Sequence, residues 1–393
     1  MANSLDNRLF NLNLDNQWLR DERFSLEPVI QFLEARVQPV ASQLDTDSAQ
    51  LFALFEAASE LGLLTPKLPK VWGGAGLSGR AYQQLQAAIA ARSGALTFLL
   101  TQHQSAASFL LSTENEALKA AYLPAMATGE KRIGVGFSHL RRKTPPATAQ
   151  RVEGGYWLSG EVPWVTGAGL FEAFVGAAVL PNGEAVFGLL PLQSQTFANA
   201  TTRETHQAGE LLVGEPMAMA GMAATSTVRV QLNNWFLSDE NVMGLRPVGW
   251  LASRDRINPL SPLGMIMGCA SGACRVLAES LRRRQIELNL PDQLLAANRQ
   301  LARELSTTSA LPEHDYEKKI ALRGRAIALM NQCAQAAMLA SGGAANALHH
   351  PARRVYGEAL VFSVSGQTNE GAIATLKAIS SLVKPPDSTF HST

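Results

Sequence analysis

Apolar and polar positions fall into three textures along this 393-residue chain. From about Ser25 to Gly129 the apolar residues recur at helical spacing, as in Leu51-Phe52, Leu54-Phe55, Ala58 and Leu61. Pro66, Pro69 and the run Gly73-Gly74-Ala75-Gly76 interrupt this pattern, and helix resumes from Arg80. Thr113 and Glu116 have the spacing of a capping box before a further helix. From Lys131 to about Gly244 short apolar runs alternate with Gly, Pro and Asn, which predicts strands, with a type I′ turn at Asn182-Gly183. Within this zone Tyr156 to Gly167 predicts a glycine-turned hairpin ending in Trp164-Val165-Thr166. The two-residue period puts the indole and the hydroxyl on one face. From about Ser261 to Leu382 the helical pattern returns, broken at Leu311-Pro312, at Gly342-Gly343 and at Pro351. Strands that do not alternate with helices argue against a doubly wound sheet. The expectation is an α+β chain in three parts: helical 1–130, a small β-barrel over 131–244, and a helical bundle over 245–393.

Composition narrows the function. Apolar residues make up 46% and charged residues 17%, with a formal net charge of +1, so no broad field attracts nucleic acid or an anionic membrane. A surface this low in charge is expected to be partly buried in an oligomer. The polar stretch Met1 to Arg20 has no apolar core of a secretory signal. The most apolar stretch, Ala95 to Leu111, is interrupted by Gln102-His103-Gln104 and reads as a buried helix, not a membrane span. Cys269, Cys274 and Cys333 are scattered and lack metal spacing, which fits a reduced cytoplasmic protein. His349-His350, just before Pro351, read as loop residues.

Gly74-Ala75-Gly76-Leu77-Ser78-Gly79 fits the dinucleotide-binding spacing G-x-G-x-x-G, but its context fails. Two prolines precede it where a strand should lie, and no Asp or Glu follows before Thr113 to hold a ribose. It reads as a glycine-rich loop between helices.

Several motifs, in order, resemble the acyl-CoA dehydrogenase family. Leu61-Gly62-Leu63-Leu64-Thr65-Pro66 followed by Trp72-Gly73-Gly74-Ala75-Gly76-Leu77 is similar to that family's early segment. Gly160 to Thr166 resembles its "NGxKxWIT" motif, and Gly221 to Val228 its "GMRxSxT" motif. Asp239 to Gly244 resembles "PxENxxG", and Pro262-Leu263-Gly264 resembles the start of the C-terminal helical domain. The resemblance implies an acyl-CoA dehydrogenase-like fold, FAD at a subunit interface, oxidation of an acyl thioester such as an acyl-CoA, and a homo-oligomer (dimer or tetramer). It places Trp164 and Thr166 against the flavin, with Phe137, Ser138, Gly342, Gly343 and Thr368 as further cofactor contacts.

The departures from the family lie where its chemistry is done. The loop that reads Thr-Glu-Pro in relatives is Phe137 to Pro146 here, with His139 and Arg141-Arg142-Lys143 adding positive charge. Removing the α-proton of a thioester needs a carboxylate in a dry pocket, and Gly366 occupies the position of the family's usual glutamate. Asp255, at the expected start of a helix, is the candidate replacement, and His139 is the candidate acid–base residue if the reduced flavin meets oxygen instead. The family's flavin-side glutamine is Leu339. Its arginine before Phe-Gly has no clear counterpart, with Arg282-Arg283-Arg284 upstream as a substitute. Three functions follow: a CH–CH oxidoreductase, a flavin monooxygenase or oxidase on the same fold, and a non-catalytic binding protein.

Overall fold

A computed structural model describes residues 25–198 and 208–381. The Met1 to Arg20 stretch lies outside them. The first helical part comprises α1 (Leu26–Phe32), α2 (Ser48–Ala57), α3 (Gly79–Ala90), α4 (Gly94–Leu111) and α5 (Glu116–Thr128). Each of the last four starts on a polar cap: Asp47, Ser78, Ser93 and Asn115 accept from Gln50, Ala81, Leu96 and Leu118 N–H at 2.9–3.2 Å. The cap of α5 is thus Asn115, not Thr113. Thr113 instead donates to Met243 O at 2.6 Å and ties the helical part to the sheet. The glycine loop before α3 folds on itself, with Gly76 N and Leu77 N donating to Leu68 O and Pro66 O. Those N–H groups are spent internally, as the rejection of a phosphate loop requires.

Among the described residues nine strands follow: β1 (Ile133–Gly136), β2 (Ala147–Val152), β3 (Gly155–Val165), β4 (Ala173–Val179), β5 (Ala185–Pro191), β6 (Gln195–Ala198), β7 (Ala208–Val213), β8 (Val228–Ser238) and β9 (Val242–Arg246). Their order is β6-β7-β8-β3-β2-β4-β5-β9, with β1 parallel to β4. β2 and β4 meet at one pair, Thr148 and Val179, which joins two antiparallel halves. The sheet curls until β5 meets β8, where Leu237 packs on Gly188 so closely that a Cβ there would lie 2.6 Å from it.

Two local expectations are corrected here. Tyr156 to Val165 is one continuous strand, not a hairpin. Gly160 (φ +115) sits at a register shift against β8, and a side chain there would meet Pro146 O at 1.9 Å. The β4–β5 turn lies at Asn182-Gly183, but only Gly183 (φ +87) is left-handed, so it is not type I′, which needs positive φ at both residues.

The last part comprises α6 (Trp250–Ile257), α7 (Leu263–Arg283), α8 (Leu290–Thr308), α9 (Tyr316–Ser341), α10 (Pro351–Val364) and α11 (Asn369–Ser380). α7 and α9 form its centre. They also gather two of the thiols expected to be scattered: Cys274 lies beside Cys333 and, with burial, pushes the Cys333 thiol up, and all three cysteines are buried. Pro351 opens α10, and His350 caps it by accepting from Ala352 N at 3.1 Å, a more specific role than a loop residue.

The first and last parts form one core. Gly264, Gly268 and Gly272 line one face of α7, and added Cβ atoms would lie 2.4–2.7 Å from the carbonyl oxygens of Gln83, Ala87 and Ala91, along and just beyond α3. Only glycine permits this approach. A second apolar cluster fills the space between α4, α5 and β4–β5, where Phe109 stacks on Phe187 with centroids 4.8 Å apart. Burying each ring contributes about 2–3 kcal/mol.

Candidate functional site

The end of β3 separates the two residues expected to share a face. Trp164 is 46% exposed, whereas Thr166 is buried. The strand ends at Val165, and its pairing with β8 is irregular between Val162 and Val165, so strict alternation does not reach Thr166. The Thr166 hydroxyl shares a hydrogen bond of 3.0 Å with that of Thr227, and Gly167 N and Ala168 N donate to Thr225 O and Ser226 O. The segment 220–227 therefore holds the residue.

That segment is itself held from both helical parts. Met222 (φ +55) and Ser226 (φ +49) are left-handed without being glycine, at a cost of about 1–2 kcal/mol each. Asp45, fully buried, accepts from Met222 N at 2.6 Å and pairs with Arg353, whose other nitrogen donates to Ala220 O at 3.0 Å. Ser48 reaches Ser226 at 3.2 Å. Gly221 lies on the backbone of Gly357 in α10. One turn away Arg354 and Glu358, both buried, form an ion pair at 2.8 Å, and Glu358 accepts from Gly94 N at the start of α4. Burial pushes the Glu358 carboxyl up, Arg354 opposes this, and Asp45 adds to the rise. Sequence reasoning missed this network because Arg353-Arg354 and Glu358 look like the solvated face of a helix. Asp45, in a polar run with no local partner, was the available signal.

The loop after β1 is less charged than its sequence implies. Phe137 packs tilted against Phe109 and edge-on against Phe187, and Ser138 is exposed. His139 is buried, with Nε2–H donating to Ala177 O at 3.0 Å. Burial pushes its pKa down to about 4, so it is neutral at pH 7 and adds no positive charge. Its Nδ1 is a buried acceptor with no partner among the described residues. Arg141 grips Asp255 bidentately at 2.7 and 2.8 Å, occupying both carboxylate oxygens. Asp255 lies near the end of α6 and not at its start.

Gly366 is left-handed (φ +59) and exposed, and nothing stands within 4 Å of where its Cβ would be. Its carbonyl accepts from buried Arg323 at 3.0 Å. Thr368 caps α11 by accepting from Gly371 N, and Glu370 lies in the first turn. Gly342 (φ +64, ψ −153), in a conformation essentially confined to glycine, ends α9, and the space beside Gly343 is open. Leu339 is 72% exposed. Arg282 and Arg283 pair with Glu279, while Arg284 donates to Ala340 O, so the triple arginine serves the helix ends. Among the described residues no group of three His, Cys, Asp or Glu could hold a metal ion.

Residues suited to a flavin are thus present: a half-exposed indole at the strand end, a buried hydroxyl beside it, and an open diglycine whose backbone a phosphate can approach. Helices, a curled sheet and helices sharing one core define the acyl-CoA dehydrogenase fold. A glutaryl-CoA dehydrogenase from Mycobacterium smegmatis, solved in complex with FADH2, superposes with a TM-score of 0.73 over 95% of this chain and 96% of its own, at 17% identity. Residues 20–130 match the family described as acyl-CoA dehydrogenase, N-terminal domain. A 3-(aryl)acrylate reductase from Clostridium sporogenes is 25% identical over 56% of this chain and 58% of its own length, so the chain spans little more than half of that relative. An acyl-CoA dehydrogenase from Bacillus subtilis is 21% identical over 86% of this chain and 92% of its own. The fold is that of the acyl-CoA dehydrogenases, and the match to their family model lies in the first helical part.

Proposed function

We propose that the protein is an FAD-dependent oxidoreductase acting on a carbon–carbon bond of an acyl thioester. The observation that carries this is the end of β3, where exposed Trp164 stands beside a Thr166 fixed through Thr227. Bound FAD would supply a two-electron acceptor. Trp164 would cover its ring, Thr166 would address its edge, Phe137 and Ser138 would border it, Thr368 would lie near it, and Gly342 and Gly343 would admit its phosphates. The three parts 1–130, 131–244 and 245–393 act as one unit in this reading.

Gly366, where the resemblance would put the family's base, has only open space beside it, and Asp255 is engaged by Arg141. These two observations favour a second reading, a flavin oxidase or monooxygenase that needs no thioester base. Anaerobic addition of a panel of acyl-CoAs separates them. Bleaching of the bound flavin supports the dehydrogenase. Its absence, with oxygen consumed only when the flavin is reduced, supports the oxygen-using enzyme. A purified protein that never takes up flavin overturns both and leaves a binding protein.

We also propose a homo-oligomer joined through the last helices. Tyr356, Leu360 and Val364 make a stripe on α10, and Ile373, Leu376 and Ile379 lie on α11, all 43–64% exposed. Sedimentation should give a dimer or tetramer, and a monomer at micromolar concentration rejects the stripe as an interface. Buried, unpaired cysteines favour the cytoplasm. None of the described helices is long and apolar enough to cross a membrane.

A further inference from the structure

We infer that Asp45 is a positioning residue for the flavin-facing hydroxyl of Thr166, acting at a distance through the strained segment 220–227. The inference rests on the flavin reading for its functional consequence, but its structural part stands by itself. Asp45 touches neither Thr166 nor the space beside Trp164. Its carboxylate uses one oxygen on Met222 N and the other on Arg353. Met222 begins a turn, Ala223–Thr225, that ends at Ser226, and both flanking residues are left-handed. The same turn delivers Thr225 O to Gly167 N, Ser226 O to Ala168 N and the Thr227 hydroxyl to Thr166.

A left-handed Met and a left-handed Ser within five residues relax unless their surroundings over-determine them. Three of the holding contacts start from Asp45 or its partner: Asp45 to Met222, Asp45 to Arg353, and Arg353 to Ala220. Ser48, three residues on, adds a fourth at Ser226. Gly221 has no freedom to retreat, because Gly357 lies behind it. Neutralising Asp45 weakens its bond to Met222 and leaves half-buried Arg353 facing a neutral partner. The turn then loses the contacts that fix its two left-handed residues, and the Thr227 hydroxyl loses its fixed place. The Thr166 hydroxyl, freed from Thr227, would no longer be held in one orientation toward a ligand. The consequence is a loss of geometry at the barrel edge from a substitution in the first helical part.

The test combines exchange and binding. In the apo protein, Asp45→Asn should speed amide exchange at residues 166–168 and 222–228 by about tenfold, while β4 and β5 stay protected. In flavin titrations, Thr166→Val and Asp45→Asn should each weaken binding about tenfold, and the double variant should match the single ones, as residues acting through one contact do. A double variant weakened about a hundredfold, or exchange changes confined to residues 43–48, overturns the proposal. If Asp45→Asn does not fold, Arg353→Gln removes the same clamp from the other side and is read in the same way. Should the wild type bind no flavin, the cofactor reading fails, and the exchange arm still decides whether Asp45 fixes the turn.

Discussion

The end of β3 and the corner at Gly366 are built in opposite ways. At the end of β3 a hydroxyl is fixed by a strained turn, two buried carboxylates and two buried or half-buried arginines drawn from three parts of the chain. At Gly366 there is open space, a left-handed glycine and two carbonyls, those of Ser365 and Gly366, held by Arg323. The first side holds Thr166 in one place. The second offers no side chain where the family resemblance would put a glutamate. A platform without a fixed base can serve more than one reaction, so the reaction is to be sought in the assay and the cofactor in the fold.

The largest test breaks the rigid side. Glu358→Gln leaves Arg354 buried without a counter-charge and should cost about 3–5 kcal/mol, read as a lower urea midpoint. A cost under about 1 kcal/mol would mean the pair is not what holds α10 to α4.

Acid should act on neither side directly but on the core between the first helices and the sheet. His103, whose Nε2–H donates to Met126 O and whose Nδ1 accepts from Ile133 N, and His139 both have pKa values pushed down to about 4 by burial. In the unfolded chain each titrates near 6.5. The unfolded state therefore binds more protons between these values, so stability is full above pH 6.5 and is lost as pH falls toward 4. The loss is roughly 3 kcal/mol per histidine. Urea midpoints that stay level from pH 7 to 5 would refute it.

The glycines sharpen the contrast at the next scale. Gly221→Ala drives a Cβ to 2.4 Å from Gly357 O and should cost about 1–3 kcal/mol by overpacking. Gly366→Ala meets no atom and should cost only the left-handed backbone term, about 1 kcal/mol. Equal losses would erase the distinction between a packed and an open corner. The smallest effect belongs to Arg141→Ala. Its pair with Asp255 is partly exposed and should contribute about 1 kcal/mol or less by thermal melting.

Much of the fold was legible because its signals are local. Caps, proline breaks and apolar periods mark the helices, and ordered motifs carry the helix–strand–helix plan. The errors came where a long strand is bent by one glycine. Gly160 reads as a turn because sequence cannot show that β8 and Pro146 crowd it inside a strand. The same irregular pairing undid the shared face of Trp164 and Thr166. Thr113 has the spacing of a cap, yet its hydroxyl is used by Met243, 130 residues away. The Asp45 clamp was illegible for a similar reason, since Asp45 and Arg353 lie 308 positions apart. Buried polar partners at such separations leave no period in the sequence.

The glycine face of α7 has a consequence for how the chain is made. Gln83 and Gly264, which must come into contact, are 181 residues apart (264 − 83). At a synthesis rate of about 5–20 residues per second, α3 waits roughly 9–36 s for its partner to be made. During that wait its small-residue face, Ala87 and Ala91 among it, has no helix to lie against. The β-rich part emerges in the interval and can complete its ladders first. A nascent chain stalled before residue 264 should therefore carry a structured sheet flanked by exposed helical surface, the form in which chaperones would meet this protein.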